Sequence, residues 1–501
     1  MNEFSAKPSV LLVSAELKTF KSRAGGLGPA VEELAYSLAK LGCKVSVVSL
    51  LYKYRRNDKD EIEEIDYSDI KLEDLATLNF WVGNEKVQAN VKKVEKNGVT
   101  FYFLENEKMA NLLYEGDGLQ RAIFLARGTL DLVKILDGIN VIHLNDAHTG
   151  LIPLFFKAEH RYHGDPKIKN LKFAYTIHNA GKAYQQIFDK ERFGELGIGE
   201  EWRDKVIWED KINLTYTASI LSDICNTVSP DYAETLLKNG EGLTGIFKSK
   251  KVFGITNGID IDYWRMPEFR GVKTIKELKE KKKKAKIELL KEIENIKGDK
   301  LSEEKLTIVI PRRFADQKGF EVFLPHSDII VKDREEGGIG AQLIILGRAA
   351  LGDPIGRKWI EICKKLDEDL SNNFVFIYGF NEELAKKMYW GGDVLFYPSL
   401  PEKEPCGTGY MMAAVNGTVT LGTDTGGMVE KIIDSKNGFK VKKENYSWEA
   451  FFEKLKIISN LFYNEKKTWD KIVWNAFNMD VDMDKVAEEY LTKLYLPILK
   501  N

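Results

Sequence analysis

The chain has 501 residues, of which 44% are hydrophobic and 30% charged, the composition of a globular protein with room for about two to four domains. Its 74 Lys and Arg residues and 76 Asp and Glu residues leave a net charge of −2, which excludes a protein that coats nucleic acid by bulk charge. No apolar run reaches the ~18 residues of a membrane span, and residues 1–8 lack the apolar core of an export signal. The four cysteines are widely spaced without a Cys-x-x-Cys pair, which disfavours a disulfide or zinc scaffold and fits a reducing cytoplasm.

Short apolar runs alternate with helical segments along the first half of the chain. Val10–Val13 is too short for a helix and typical of a buried parallel strand, and the segment 29–39 has helical spacing behind Pro29. Residues 52–125 have β-hairpin character, and we interpret them as an insertion into this alternating pattern. The alternation predicts a doubly wound α/β sheet with helices on both faces. Its other strands are predicted at residues 44–51, 141–144, 173–177 and 224–228.

The alternation restarts after a Lys/Glu-rich stretch at residues 264–305. Its basic run, residues 280–284, predicts a solvated helical face, because a nucleic-acid arm would lack the interleaved glutamates. We therefore predict two similar domains, residues 1–260 and 261–468, and a C-terminal helical segment, residues 469–501. Strands of the second domain are predicted at residues 306–310, 342–346, 374–378, 394–397 and 418–421.

Ligands of an open parallel sheet bind beyond the carboxyl ends of its strands, and five loops at such ends carry unusual residues. The first loop runs from Arg23 to Gly28, directly before a helix. Its glycines allow backbone N–H groups to approach a phosphate at the helix N-terminus. A turn that only requires positive φ explains them equally well.

The second and third loops place histidines at predicted strand ends, in His143-Leu-Asn-Asp-Ala-His148 and in His178-Asn-Ala-Gly181. Their spacing does not match a metal motif. For each histidine, a structural hydrogen bond and a substrate contact both remain open.

The fourth and fifth loops follow strands of the second domain. Arg313 and Lys318 stand five residues apart, and such a pair can clamp a diphosphate or form surface salt bridges. The segment 401–409 places Glu404 just before small residues at a predicted helix start, where the carboxylate can bind sugar hydroxyls and the N–H groups a phosphate. Residues 424–427 open another helix in the same way.

Taken together and in this order, these loops resemble one family, the bacterial and archaeal starch/glycogen synthases. The resemblance covers almost the whole chain and rests on the following segments: Gly25-Gly-Leu27, His178-Asn179, Thr227-Val-Ser-Pro230, Asn257-Gly-Ile-Asp260, the Arg313/Lys318 pair, Glu404-Pro-Cys-Gly407 and Thr425-Gly-Gly427. It implies retaining glucosyltransferases of the GT-B fold, in which two Rossmann-like domains face each other across a cleft. It also implies that the C-terminal segment crosses back to the first domain.

The resemblance further implies roles for individual residues. Arg313 and Lys318 should bind the diphosphate of a sugar nucleotide, with His178 beside the reacting sugar and Asp146 contacting a glucose hydroxyl or the acceptor. Glu404 is expected to be catalytic and, with the backbone N–H groups of Cys406 and Gly407, to hold the glucosyl ring, while Asn257 should line the cleft and Phe380 or its neighbours should pack near the base. The other residues expected to bind the substrate are Arg23, Gly25, Gly26, Thr408 and Gly409. Arg23 stands where the family usually has a lysine, so it keeps the charge but not the compact ammonium.

A second resemblance concerns the pyridoxal-phosphate segment of α-glucan phosphorylases, seen at residues 407–412 and 416–423. Met412 occupies the place of the lysine, and a thioether cannot form a Schiff base. We therefore expect no pyridoxal phosphate. We also expect no required metal, because the spacing of the histidines does not match a metal motif.

The expected reaction is glucose transfer from ADP-glucose, or alternatively UDP-glucose, to the non-reducing end of an α-1,4-glucan. The alternatives are another retaining GT-B transferase with a disaccharide or lipid acceptor, and a non-catalytic glucan-binding protein. We expect neither a nucleic-acid partner nor a membrane partner, and the sequence does not indicate the oligomeric state.

Overall fold

The strands of the chain form two main sheets, one in each half. The structure is a computed structural model that describes residues 7–23, 25–57, 61–350 and 352–500. The chain divides into two compact units. Among the described residues, unit 1 contains those up to Asn57, Glu61–Gly258 and those from Met483 onward, and unit 2 contains Ile259–Asp482. Residues 469–482, expected in the C-terminal segment, therefore lie in unit 2.

Unit 1 is organised around a nine-stranded sheet. The strands of this unit are β1 (Ser9–Val13), β2 (Lys44–Leu50), β3 (Tyr54–Arg56), β4 (Ile62–Glu64), β5 (Glu73–Val82), β6 (Glu85–Lys96), β7 (Val99–Glu105), β8 (Val141–Asn145), β9 (Lys172–Ile177), β10 (Ile187–Asp189), β11 (Ile207–Trp208), β12 (Lys211–Asn213), β13 (Ile224–Thr227) and β14 (Phe253–Gly254). The main sheet has the order β14-β13-β9-β8-β1-β2-β7-β6-β5. Its seven strands from β14 to β7 pair in parallel, with Val10 opposite both Val45 and Val141.

Residues 52–125 extend this sheet rather than forming a separate insertion. The strand β7 pairs in parallel with β2, and β6 and β5 continue the sheet as an antiparallel meander. The expected hairpin character is present, because β5 and β6 are joined by the two residues Gly83 and Asn84, and Gly83 has a φ of +58°. A two-residue turn of this kind favours glycine at a positive φ. The strands β3 and β4 form a small antiparallel pair of their own.

Helices cover both faces of the unit 1 sheet. Along β1 the side chains alternate, so that Leu11 and Val13 pack in one apolar cluster and Val10 and Leu12 in another. This burial on both faces explains the continuous apolar runs of the sequence. The helices of this part of the chain are α1 (Leu27–Lys40), α2 (Gly118–Ile135), α3 (Ile152–Ala158), α4 (His160–His163), α5 (Leu214–Leu221), α6 (Pro230–Lys238) and α7 (Thr244–Ser249).

Unit 2 contains a six-stranded sheet in which all neighbouring strands are parallel. Its strands are β15 (Leu306–Pro311), β16 (Ala341–Gly347), β17 (Phe374–Tyr378), β18 (Val394–Tyr397), β19 (Val419–Thr423) and β20 (Phe439–Val441). The order β17-β16-β15-β18-β19-β20 is that of a Rossmann fold, with the first strand in the middle. Unit 1 repeats this order, with β1, β2 and β7 on one side and β8, β9, β13 and β14 on the other.

The predicted architecture is confirmed: two doubly wound, Rossmann-like α/β domains, as in the GT-B fold. In each unit the strand order reverses next to the first strand, between β1 and β8 in unit 1 and between β15 and β18 in unit 2. Ligands of doubly wound sheets bind outside the carboxyl ends of the strands at such a switch point. The loops after these four strands are therefore where a site is expected.

The Lys/Glu-rich stretch forms the longest helix of unit 2, and its start is fixed by a capping box between Thr274 and Glu277. Most of its lysines lie on the solvent side, as predicted, but Lys282 and Lys286 point inward. Helical periodicity places these two residues on the same face, where Lys286 forms a 2.7 Å ion pair with Asp393. The helices of unit 2 are α8 (Ile261–Trp264), α9 (Ile275–Lys297), α10 (Ser327–Val331), α11 (Pro354–Asp369), α12 (Glu382–Gly391), α13 (Gly409–Ala414), α14 (Met428–Lys431), α15 (Trp448–Asn464) and α16 (Lys466–Phe477).

The last helices return to unit 1 as α17 (Met483–Glu489), a π-helical segment (Tyr490–Tyr495) and α18 (Leu496–Leu499). The predicted apolar stripe of Val486, Tyr490 and Leu494 is buried in the same cluster as Val10 and Leu12 of β1. Within the described residues, no helix is long and apolar enough to cross a membrane.

One buried histidine fastens this C-terminal segment to the sheet. The Nδ1 atom of His143, on β8, accepts a 2.8 Å hydrogen bond from the hydroxyl group of Tyr495, and its Nε2 atom lies 2.7 Å from Oγ1 of Thr176. Burial lowers the pKa of His143 to about 3, so the ring is neutral.

We expect the substitution Tyr495→Phe to lower the free energy of unfolding by about 1–3 kcal/mol, because it leaves the buried Nδ1 atom of His143 without a donor. Urea denaturation measures this change. The matched control is Tyr52→Phe in the same unit, since the hydroxyl group of Tyr52 is buried without a hydrogen-bond partner among the described residues. Equal effects of the two substitutions would show that the contact with His143 does not fasten the segment.

Candidate functional site

The loop after β15 brings a lysine next to a buried carboxylate. This loop ends in a 3₁₀ turn, Asp316–Lys318, followed by Gly319. Gly319 has a φ of +71°, and a Cβ atom there would lie 1.7 Å from the carbonyl oxygen of Pro398. Only glycine fits, because a side chain would both strain the backbone and collide with the chain after β18. This close approach places Nζ of Lys318 where it donates a hydrogen bond to Glu404.

The carboxylate of Glu404 is held through one of its two oxygens. Its Oε2 atom accepts hydrogen bonds from Nζ of Lys318, from Nη2 of Arg312 at 3.3 Å and from Oγ of Ser399 at 3.3 Å. Glu404 is only 6% exposed. Within the part of the chain that the structure describes, Oε1 accepts no hydrogen bond, so Oε1 is the oxygen available to a ligand.

Burial opposes the charge on both members of the Glu404–Lys318 pair. For Glu404, burial alone would raise the pKa, but the charges of Lys318 and Arg312 and the hydrogen bonds from Lys318 and Ser399 outweigh it. The pKa of the carboxyl group therefore lies below its ordinary value. Burial lowers the pKa of Lys318 to about 8, against the opposing charge of Glu404. Both groups are consequently ionised at neutral pH.

The two neighbouring arginines of this loop lie in different surroundings. Arg313, the cation expected beside Lys318, is exposed, and among the described residues it donates no hydrogen bond, so its guanidinium group is open to a ligand. Arg312 has a side chain that is only 6% exposed and contacts Glu404. Arg312 could not be identified from the sequence, because two successive residues of an extended chain point to opposite sides and the sequence does not indicate which of them points inward.

The loop from Glu404 to Gly409 exposes backbone donors. A Cβ atom on Gly407 would lie 2.0 Å from the hydroxyl oxygen of Tyr397, so the loop requires glycine there to pack against β18. The backbone N–H groups of Gly407 and Thr408 donate to no acceptor within the described ranges. The helices after this loop and after residues 424–427, α13 and α14, have only six and four residues. Helices this short have a small dipole, so the N–H groups themselves are the relevant donors.

In unit 1, the glycine loop leads from β1 into α1. The backbone N–H of Gly25 donates to Oε2 of Glu16 at 2.9 Å, and Nε of Arg23 donates to the carbonyl oxygen of Gly25 at 3.1 Å. Ala24 lies outside the described residues. Gly26 caps the 14-residue helix α1 without a side-chain hydrogen bond, and a Cβ atom there would meet no described residue within 4 Å. The helix N-terminus is thus approachable by an anion.

The loop after β8 holds Asp146 in a strained and buried position. Its φ of +61° is rare for a residue with a side chain. Its Oδ1 atom accepts hydrogen bonds from the backbone N–H groups of His178, at 2.7 Å, and Asn179, at 3.3 Å. Burial raises the pKa of Asp146 to about 7, against these two hydrogen bonds. Asp146 therefore fixes the backbone of the His178 loop.

The ring of His178 is oriented by Asn145, the last residue of β8. The amide nitrogen of Asn145 donates to the carbonyl oxygens of Val13 and His143, which leaves its Oδ1 atom as an acceptor 3.0 Å from Nε2 of His178. This arrangement assigns the proton of His178 to Nε2. Burial lowers the pKa of His178 to about 4, so the imidazole is neutral at physiological pH.

The remaining predicted site residues are spread over both units. Asn257 is buried in the loop after β14, and its N–H donates to the carbonyl oxygen of Val228 at 3.3 Å. Phe380 is 42% exposed after β17, beside Tyr378, which is 45% exposed. Cys406 is partly buried.

Among the other histidines of these loops, His143 is a structural residue, and His148 packs on Tyr114 with a ring separation of 4.9 Å. In the described part of the chain, no group of three or more His, Cys, Asp or Glu side chains could hold a metal ion.

Glu16 and Tyr114 are two further residues of unit 1 that the sequence pattern did not indicate. Glu16 is 4% exposed, and its Oε1 atom accepts a hydrogen bond from the hydroxyl group of Tyr114, a residue with a φ of +62°. The available signal was an acidic residue three positions after the predicted strand β1, in a loop at the carboxyl end of the sheet. Glu16 ties the glycine loop to the segment before α2.

Both halves of the chain match models of known protein families. Residues 9–249 match a family model described as the starch synthase catalytic domain, and residues 292–471 match one described as glycosyl transferases group 1. The chain is 30% identical to a glycogen synthase of Clostridium novyi over 98% of this chain and 99% of that protein. It is 29% identical to a glycogen synthase of Thermotoga maritima over 96% and 97% of the two chains. The fold matches the catalytic domain of starch synthase IV from Arabidopsis thaliana, bound to ADP and acarbose, with a TM-score of 0.82, 22% identity and 99% and 100% of the two chains covered.

We expect Gly319→Ala to lower the free energy of unfolding by more than the ~1–2 kcal/mol that a positive φ alone costs. Thermal or urea denaturation measures the difference. The control is Gly337→Ala in the same unit, where φ is +85° but a Cβ atom would meet no residue that the structure describes within 4 Å. If the two variants were equally stable, the approach of the chain after β18 to Gly319 would not constrain the Lys318 loop.

Proposed function

The chain belongs to the glycogen/starch synthase family of glycosyltransferases, and from this premise we propose that it transfers glucose from a nucleoside diphosphate to the end of an α-1,4-glucan. The proposed donor is ADP-glucose, with UDP-glucose as the alternative. The starch synthase of the same fold was bound to ADP and acarbose, which favours an adenine nucleotide and a glucan-like acceptor.

The observation that carries this proposal is the ionised Glu404–Lys318 pair at the switch point of unit 2. The carboxylate keeps Oε1 available while Oε2 is bound by the protein. An ionised oxygen of this kind accepts strong hydrogen bonds from sugar hydroxyl groups. We therefore assign Glu404 to the glucosyl ring of the donor.

The donors around this carboxylate suit a departing diphosphate. The side chain of Arg313 is open to a ligand, and the N–H groups of Gly407 and Thr408 are not engaged by acceptors among the described residues. Lys318 adds a positive charge whose side chain is 13% exposed. Fixed donors of this kind stabilise charge that develops on a leaving group, and they act more strongly where water is excluded.

We propose that the loops of unit 1 serve the sugar and the phosphates. The N-terminus of α1 at Gly26 is suited to a phosphate contact, together with Arg23 and Gly25. The neutral His178 can accept a hydrogen bond at Nδ1 without repelling positive charge on the reacting sugar. Asp146 positions His178 and is assigned to a glucose hydroxyl or the acceptor, and Asn257 to the lining of the same site.

Retention of the α configuration is proposed without a covalent intermediate. Glu404 is a weak nucleophile, because two cations and a hydroxyl group bind its Oε2 atom and lower its pKa. In the proposed step the bond between C1 and the phosphate oxygen breaks as the acceptor hydroxyl attacks from the same face. The acceptor proton passes to the departing phosphate oxygen, whose charge Arg313 and Lys318 stabilise.

The nucleotide base is assigned to the exposed ring of Phe380, because an aromatic face can stack on any base. Cys406 and Gly409 contribute backbone around the sugar. We propose that the reaction requires neither pyridoxal phosphate nor a metal ion. Met412 offers no amine for a Schiff base, and the leaving-group charge can be met by Arg313 and Lys318.

The test is to incubate the protein with glycogen and either ADP-glucose or UDP-glucose, with and without EDTA, and to follow nucleotide release and glucan extension. We expect the glucan to be extended with at least one of the two donors, and we expect EDTA not to change the rate of extension. Transfer only to a disaccharide or lipid acceptor would favour another retaining transferase. Glycogen binding without turnover would favour a glucan-binding protein.

We expect Glu404→Gln to lower kcat by at least ~100-fold, because the amide cannot replace the charged oxygen that holds the reacting sugar. Steady-state kinetics at saturating donor measure the effect, and a melting curve shows that the variant folds. The control is Glu402→Gln, an exposed residue of the same loop. Near-normal turnover of the Glu404 variant would refute the assignment.

Arg23 stands where the family usually has a lysine, and substitutions of Arg23 test whether it binds the donor phosphates as that lysine would. We expect Arg23→Lys to keep substantial activity and Arg23→Ala to lose roughly 1.5–3 kcal/mol of interaction with the donor phosphates, seen in both kcat and KM. The control is Lys21→Ala, since Lys21 in the same loop forms a 2.6 Å ion pair with Asp69. If both Arg23 variants behaved like wild type, the diphosphate would be held by Arg313 and Lys318 alone.

A further inference from the structure

Arg312 makes a set of contacts that ties Glu404 to the end of β18. Its Nη2 atom donates to Oγ of Ser399 at 3.0 Å and to Oε2 of Glu404 at 3.3 Å. Its guanidinium carbon lies 3.8 Å from the centre of the Tyr397 ring. A guanidinium group that stacks on an aromatic face and donates along its edge has a fixed orientation.

The same contacts leave little of the Arg312 side chain accessible to a ligand. Its side chain is 6% exposed, and its Nε atom is buried without an acceptor among the described residues. It contacts Oε2 of Glu404, the oxygen that faces the protein, whereas the available oxygen is Oε1. The neighbouring Arg313 is exposed. The two arginines therefore have different access to a ligand although they are adjacent in sequence.

We propose that Arg312 is a positioning residue: it fixes the carboxylate of Glu404 through Oε2 so that Oε1 alone meets the donor sugar, while Arg313 binds the diphosphate. This inference rests on the proposed function and deepens it by dividing the roles of two adjacent cations. Arg312 acts through Glu404 and does not touch the substrate.

The charges around Glu404 give this role a measurable signature. The positive charge of Arg312 lowers the pKa of Glu404 and also contributes to lowering that of Lys318. Removing this charge should therefore raise both values, so that the acid and the alkaline limb of the activity profile both move to higher pH. The titratable and charged groups that face Glu404 and Lys318 are Arg312, Arg313 and Tyr397, and Tyr446 lies next to Arg312.

The experiment compares Arg312→Met, Arg312→Lys and Arg313→Met in the full chain. Methionine keeps the length of the side chain over Tyr397 but removes the charge, and lysine restores the charge without the planar fork. For each variant we would measure the melting curve, kcat and KM with the donor that the wild type uses, the pH profile of kcat, and the Kd of the free nucleoside diphosphate, ADP or UDP accordingly.

For Arg312→Met we expect kcat to fall by ~10–100-fold with a Kd for the nucleoside diphosphate within ~3-fold of wild type, because the carboxylate loses its orientation while the phosphate contacts remain. Both limbs of the pH profile should move upward. Arg312→Lys should restore the limbs toward their wild-type positions and recover part of kcat. Arg313→Met should instead weaken nucleotide binding by ~10-fold or more.

Two results would overturn the proposal. Weakening of nucleotide binding by Arg312→Met to the same degree as by Arg313→Met would place Arg312 on the diphosphate. An unchanged kcat and pH profile in a folded Arg312→Met protein would show that Glu404 needs no such support. If the wild type transferred no glucose, the proposed function would fail, and crystal structures would still decide the inference: a Glu404 carboxylate unmoved in Arg312→Met overturns it, and a rotated carboxylate supports it.

Discussion

The buried ion pair between Glu404 and Lys318 is the interaction on which the site of unit 2 depends. Removing two charges from water is costly, and the cost is offset only where geometry and further hydrogen bonds are good. Here Arg312 and Ser399 supply those hydrogen bonds, and all of them converge on one carboxylate oxygen. The arrangement in turn requires glycine at position 319, where the backbone passes too close to Pro398 for any side chain. The contacts of this one carboxylate thus join the loop after β15 to the loop after β18.

Unit 1 uses the same sheet topology but a different electrostatic design. Next to its switch point, burial lowers the pKa of His178 to about 4, so the ring is neutral, and raises the pKa of Asp146 to about 7, so that carboxyl group is partly protonated at neutral pH. They are fixed by hydrogen bonds to backbone N–H groups and to Asn145 rather than by ion pairs. Positively charged groups bind anions, whereas neutral groups do not repel positive charge on a reacting sugar. The two units therefore carry different kinds of polar group next to their switch points.

The two arginines after β15 show how a site can divide its work between neighbours in sequence. Extended chain sends successive side chains to opposite sides, so one of the two meets the interior and the other the solvent. Arg312 packs on Tyr397 and supports Glu404, and Arg313 remains accessible. The same rule of alternation gives β1 its two buried faces, with Leu11 and Leu12 in different apolar clusters. Local backbone geometry thus shapes both the core and the candidate site.

The sequence alone determined the fold class, the approximate boundary near residue 260 and the loops in which the candidate site lies, because strand periodicity and the punctuation by glycine and proline are local signals. It also indicated Glu404 and Lys318. Only the tertiary structure showed that residues 52–125 extend the main sheet, since strand pairing joins segments far apart in the chain. It likewise decided that Arg312 turns inward and that His143 fastens Tyr495, a residue 352 positions away. Which side of a strand faces the interior, and which distant group meets a buried polar atom, depends on packing that no local pattern encodes.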